Sequence, residues 1–175
     1  MGDPTDLNEL AHDLLDVAID ALDTLPAFGL EGAPERSFVS PGQPVLDCCL
    51  GTYNGQLTVH AAGVNDAQTT PGGLDAGRRI VRGKINHTLF LVTIARCIPV
   101  ATDDGNPPPV EDLEAAAAQT NADAWALWNV LFNLAEDFST LCGEVFFDGF
   151  RPLPPSNCAG WVGAIRVRLD GYQSS

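Results

Sequence analysis

Near its end the chain alternates strictly. Trp161, Gly163, Ile165, Val167 and Leu169 fall on one side, and Val162, Ala164, Arg166 and Arg168 on the other. A period of two is the signature of a strand with one buried face. A longer run, Lys84 to Val100, sets Leu89, Leu91, Thr93 and Ala95 against Phe90, Val92, Ile94 and Arg96, so its middle is apolar on both sides. Such a strand belongs inside a sheet that is covered on both faces. The two runs confine the chain to folds with a sheet at their centre, and the remaining residues must supply its cover.

Two helical stretches are available for that task. From Pro4 to Leu25, Leu7, Leu10, Ala11, Leu14, Leu15, Ala18, Leu22 and Leu25 recur at helical spacing and fill one face. From Val110 to about Leu141, Leu113, Ala116, Ala117, Ala124, Leu127, Trp128, Leu131, Ala135 and Phe138 do the same, with Glu111, Asp112 and Glu114 suited to the first turn and room for a break near Asn121. Between the helices, Val45–Leu50 reads as a strand, and Asn54-Gly55 signals a turn into the alternation of Leu57, Val59 and Ala61. Phe28 to Pro44 is a Gly- and Pro-rich connection, and Phe146–Phe150 adds a short strand. Gly63 to Gly83 has no periodicity and is expected to form a long arm. The order predicts one α+β domain over residues 1–175. Its mainly antiparallel sheet of about four strands is packed by the N-terminal helix and the long second helix.

Charge is unevenly placed. Acids outnumber bases 23 to 9, a net charge of −14, which is the wrong sign for gripping DNA or an anionic membrane. The first 35 residues hold nine acids and no Lys or Arg. Asp6, Glu9, Asp13, Asp16, Asp20 and Asp23 line the helix face opposite its leucines, at spacings of three and four. That stripe is either a solvated face or one that meets basic residues of a partner or lines an anionic surface. Arg78, Arg79, Arg82 and Lys84 gather four of the nine bases into seven positions of the arm. No apolar run approaches the ~20 residues of a membrane span. The acidic start, Met1-Gly-Asp-Pro-Thr-Asp, is unlike a basic signal-peptide opening and reads as intracellular.

Catalytic signatures are missing: no phosphate-binding glycine loop, no nucleophile elbow, no paired-histidine zinc helix. His12 falls in the first helix, while His60 and His87 fall in strands. Asp103-Asp104 sits in a turn context with Gly and Pro. No enzyme activity, cofactor or metal is expected, and a small hydrolase would need a pocket joining His60 or His87 to a carboxylate. The five cysteines, Cys48, Cys49, Cys97, Cys142 and Cys158, leave three readings open. They are buried thiols, the default in a reducing compartment; or disulfides; or, less readily for the adjacent Cys48 and Cys49, which an extended strand would turn to opposite faces, zinc ligands.

With that order laid out, particular residues resemble a known family. These are Val45-Leu-Asp-Cys-Cys-Leu50 leading into Gly55-Gln-Leu-Thr-Val59, and Leu89-Phe-Leu-Val-Thr-Ile94 with Arg96-Cys97. They continue with Gly143-Glu-Val-Phe-Phe147 before a Pro-rich loop, and Cys158-Ala-Gly-Trp161 with Ile165-Arg-Val-Arg-Leu-Asp-Gly171. Over about Val45 to Tyr172 the chain resembles the tail terminator proteins of bacteriophages with long non-contractile tails, especially those of actinobacterial hosts. The resemblance implies a structural virion protein at the tail–neck junction, assembled in the host cytoplasm. There a ring, expected to hold six copies, caps the major tail tube protein, ends tube polymerisation and joins the head–tail connector, with genomic DNA passing through. A neck or head-completion protein of the same connector is the alternative. In either role the arm bearing Arg78, Arg79, Arg82 and Lys84 is expected to dock on a neighbouring subunit or on the tube.

Overall fold

The strand read as apolar on both sides, β3 (Asn86–Cys97), has a paired strand along each edge. On one edge lies β2 (Gly55–Asp66), flanked by the short β1 (Ser37–Val39); on the other lies β5 (Cys158–Leu169), flanked by β4 (Val145–Pro152). The sheet order is β1-β2-β3-β5-β4, antiparallel throughout except that β1 runs parallel to β2. Two helices, α1 (Pro4–Leu22) and α2 (Val110–Asp137), complete an α+β architecture. This computed structural model describes residues 4–49, 55–66, 86–101, 104–137, 145–154 and 156–169.

Both helices pack on one face of the sheet. The register carries Leu57 beside Ile94 and Ile94 beside Trp161, then Val59 beside Val92 and Val92 beside Gly163, with Phe90 beside Ile165. These side chains form a layer that Leu14, Ala18 and Leu22 of α1 and Leu127 and Leu131 of α2 bury almost completely. Each such large apolar side chain contributes about 1.5–3 kcal/mol by leaving water. The alternation of Trp161, Gly163, Ile165 and Val167 therefore marks the helix-covered face of β5. Gly163 leaves space that Leu131 and Phe150 fill from either side, and Phe150 stacks on Trp161 with ring centroids 5.4 Å apart.

The opposite face is closed differently. A loop brings Leu46 and Cys48 over Ala95 and Cys158, with Leu153 alongside, as a second small core. The sequence predicts a strand over Val45–Leu50, but the chain there is irregular and turns at Cys48-Cys49; Leu50 to Asn54 lie outside the described residues. The reason is local. Gln56, buried in β2, donates from Nε2 to the Val45 carbonyl (3.1 Å) and accepts at Oε1 from the Asp47 N–H (3.2 Å). One side-chain amide thus satisfies backbone groups that a neighbouring strand would otherwise have paired. The strand that does join β2 at this edge is β1, within the stretch read as a plain connection.

Three other boundaries differ from the sequence reading. α1 stops at Leu22 and passes through a 3-10 turn, Leu25–Phe28, to Gly29, whose φ of +75° lies in the left-handed region that residues with a Cβ avoid. α2 runs unbroken through Asn121. β2 continues to Asp66, so residues 63–66 are strand; the remainder of the expected arm lies outside the described residues.

Gly160 marks a close approach of β3 and β5. A Cβ built there would stand 1.9 Å from the Ile94 carbonyl oxygen, a backbone atom that cannot step aside. At Gly163 the nearest atom is the flexible end of Leu131, at 2.5 Å. Gly160→Ala should therefore cost at least about 3 kcal/mol, the upper range for overpacking, and Gly163→Ala less. Urea denaturation of the two variants checks the order, and equal costs would contradict this account of the β3–β5 contact.

Candidate functional site

The most constrained polar group is an arginine in the core. Arg96 continues the inward set of Phe90, Val92 and Ile94 and is 4 % exposed. Its Nε and Nη2 donate to the two carboxylate oxygens of Asp123 at 2.8 and 2.9 Å, and Asp123 is fully buried. Nη2 also donates to the Gly32 carbonyl at 2.7 Å, and Nη1 reaches Glu31 at 3.4 Å. Gln119, one turn before Asp123 on α2, donates to that carboxylate and to the Glu31 carbonyl and accepts from the Glu31 N–H. The network joins β3, α2 and the segment after α1. A cavity of about 440 Å³ opens beside Arg96, Glu31 and Gln119. Because the guanidinium is already met by two carboxylates, that cavity offers no uncompensated positive charge to an anion, and the cluster works as a clamp. The signal for it was in the sequence: a base on the inward side of a strand, and an acid four and eight residues before Leu127 and Leu131.

Two surfaces stand out around this clamp. On α1, Glu9, Asp13, Asp16, Asp20 and Asp23 are all exposed. Asp23 is partly engaged, accepting from the Ala33 N–H at 2.9 Å. The side chain of Asp6 lies outside the described residues. On α2, away from the core, Trp125 stacks on Trp128 and Trp128 on Phe132, with centroids 5.4 and 5.3 Å apart. Trp125 is 65 % exposed and Phe132 43 %. Beside the first half of α2 runs an apolar groove of about 410 Å³, between Leu113 and Ala117 on one side and Pro152, Leu153 and Trp161 on the other. Exposed aromatic groups of this size mark contact surfaces more often than solvated ones. By helical period Trp128 falls on the core stripe of α2, yet it stacks between Trp125 and Phe132 on the outer side.

The cysteines converge at the far end of the sheet. The structure pairs Cys48 with Cys158 and Cys49 with Cys97 as disulfides, spanning 110 and 48 residues, where a reducing compartment would leave separate thiols. Because residues 48 and 49 form a turn, their sulfurs lie 3.5 Å apart instead of on opposite faces. Cys142 lies outside the described residues, as do Arg78, Arg79, Arg82, Lys84 and Asp103. Arg166 pairs with Asp148 at the β4 bulge; the side chain of Arg168 lies outside the described residues. His12 is exposed on α1, and the side chain of His87 lies outside the described residues. His60 is sealed into the sheet, its Nδ1 without a hydrogen-bond partner among the described residues. Burial pushes its pKa below the ordinary value, which favours the neutral ring. That placement suits packing and offers no general base to a substrate.

The clamp yields a stability test. Replacing one partner, as in Asp123→Ala, strands a buried guanidinium and should cost about 3–5 kcal/mol, while Arg96→Met with Asp123→Leu together should recover most of that loss. Glu31→Gln, at the exposed rim, should cost under about 1 kcal/mol. Chemical denaturation of all four proteins checks the pattern; a double variant as damaged as the single one would show that the pair does more than clamp.

The sequence matches no protein-family model and no curated protein, so what the protein does is read from its own surfaces and from the residue resemblance given above.

Proposed function

We propose that the chain is a structural subunit of a phage tail terminator: copies close into a ring on the end of the tail tube, stop further tube subunits from adding, and join the tail to the head connector. The observation that carries this reading is the presence of two unlike exposed surfaces on one domain, the acidic stripe of α1 and the aromatic ridge of α2. A closed ring is built from heterologous contacts, in which each subunit offers two different patches, one to each neighbour. The ridge of Trp125, Trp128 and Phe132 supplies the apolar centre of such a contact. The excess of acid also suits a lumen through which DNA passes without sticking, since like charge repels phosphates. The basic cluster Arg78, Arg79, Arg82 and Lys84 adds a charged arm that docks on the neighbouring subunit or on the tube.

Two features favour this over an enzyme. Arg96 and Asp123, the best-formed charged pair, spend their chemistry on each other, and His60 is sealed within the sheet. The residue resemblance over Val45 to Tyr172 points the same way.

Mass in solution tests the reading. Six copies of an 18.5 kDa chain, about 111 kDa, should form at high protein concentration or on mixing with tube protein. Trp125→Ser with Phe132→Ser should abolish assembly and leave helix content and thermal midpoint nearly unchanged, because both side chains are exposed. Arg78→Glu with Arg79→Glu should impair assembly or tube capping. A chain that stays monomeric at every concentration, alone and with tube protein, rules the reading out.

A further inference from the structure

We propose that Cys48, Cys49, Cys97 and Cys158 together form, when reduced, a four-thiolate structural zinc site, of which the two disulfides are the oxidised form. The first ground is convergence. Cys97 ends β3 and Cys158 begins β5, and the two are direct register partners, so their side chains leave the same face of the sheet. Cys48 and Cys49 reach them from the loop that closes that face. The sulfurs of Cys48, Cys49 and Cys158 all lie within 4.8 Å of one another, and Cys97 is joined to Cys49.

The second ground is that other interactions hold these positions. The β3–β5 register fixes Cys97 and Cys158, and the Gln56 amide holds Val45 and Asp47, immediately before the cysteine turn. Arg36 pairs with Asp47 at 3.5 Å, adding a further tie on the same loop. Opening the bridges therefore leaves four thiols still gathered. Zinc bound by thiolates at about 2.3 Å in a tetrahedron sets its sulfurs about 3.8 Å apart. The Cys48 and Cys49 sulfurs are already 3.5 Å apart, and each bridged pair has to separate by less than about 2 Å.

The third ground is the donor set. Four soft thiolates with no open position describe a structural site, and among common divalent ions they favour zinc over magnesium or calcium. Access is one-sided: Cys49 and Cys97 are exposed, whereas Cys48 and Cys158 are buried. A thiol or phosphine reductant thus reaches the Cys49–Cys97 bridge first. The freed Cys49 sulfur then lies beside Cys48, next to the buried bridge. With a phosphine, each bridge takes up two electrons from one equivalent and two protons from water, whose oxygen leaves on the phosphine oxide, so four thiols form for two equivalents. Zinc then displaces four protons and leaves a dianionic four-thiolate complex. In the reduced, metal-free chain the Cys49 thiol can donate to the Asn157 carbonyl, 3.4 Å away. This site stands independently of the ring reading, since it rests only on the four cysteines of this domain.

The experiment is a cobalt titration of the full chain, reduced with a phosphine under anaerobic conditions. One Co²⁺ per chain should bind with the intense red-region bands of tetrahedral cobalt and a thiolate charge-transfer band, and Zn²⁺ should displace it. Cys97→Ser and Cys49→Ser should each weaken binding by more than about 100-fold, beyond the usual effect of losing an outer partner, and Cys142→Ser should change nothing. Circular dichroism of the same samples follows folding. Uptake of less than one equivalent by the reduced wild-type chain, folded or not, overturns the proposal. Uptake unaffected by Cys97→Ser overturns it as well.

Discussion

A strand that is apolar on both sides and paired on both edges has to be covered twice, and β3 imposes that requirement on everything around it. Phe90, Val92 and Ile94 on one face call for helices; Ala95 on the other calls for a loop. The helices arrive from separate points in the chain order, α1 before the sheet and α2 between β3 and β4. Only a layered α+β arrangement brings both onto one face while β5 returns antiparallel beside β3.

Each cover is pinned near the end of β3 by a different chemistry. On the helix face, Arg96 binds Asp123 of α2 and the Glu31–Gly32 segment that follows α1. On the loop face, the two disulfides tie residues 48 and 49 to the ends of β5 and β3. A buried ion pair contributes little net stability but is costly to break singly, so it acts as a fixed point of assembly. The bridges act on the unfolded chain: closing 110 and 48 residues restricts it by about 4–5 kcal/mol each on the chain-entropy account. If the same four sulfurs bind zinc, the loop stays pinned when the bridges open, and the back of the sheet keeps its cover in either redox state.

Much of the fold could be read from periodicity because its main elements each have a distinct buried face. β5 shows the alternation of a strand packed on one side, and α1 shows a leucine stripe. The differences lie where the backbone is satisfied without regular structure. Val45, Leu46, Cys48 and Cys49 look like strand residues, yet Gln56 satisfies the loop backbone at Val45 and Asp47 from a single side chain. β1 is three residues long, too short for any period to register. The aromatic ridge was hidden for the opposite reason: Trp128 fits the core spacing of α2, and nothing local tells an inward tryptophan from an outward one. The basic cluster Arg78 to Lys84 lies outside the described residues, while Arg96, a base in the inward set of β3, holds α2 and the segment after α1 in place.

On the proposed reading, this clamped and stapled sheet is a rigid block whose surfaces do the work. Rigidity matters in a ring, because small errors in subunit angle accumulate around it and prevent closure. The acidic and aromatic faces are both carried by helices held on the same side of the sheet, so their relative orientation is fixed by the core beneath them. The most direct test of this claim is electron microscopy of the purified chain mixed with tube protein. The account predicts closed six-fold rings seated on the ends of tubes that have stopped growing. Tubes that keep lengthening with bare ends would contradict it.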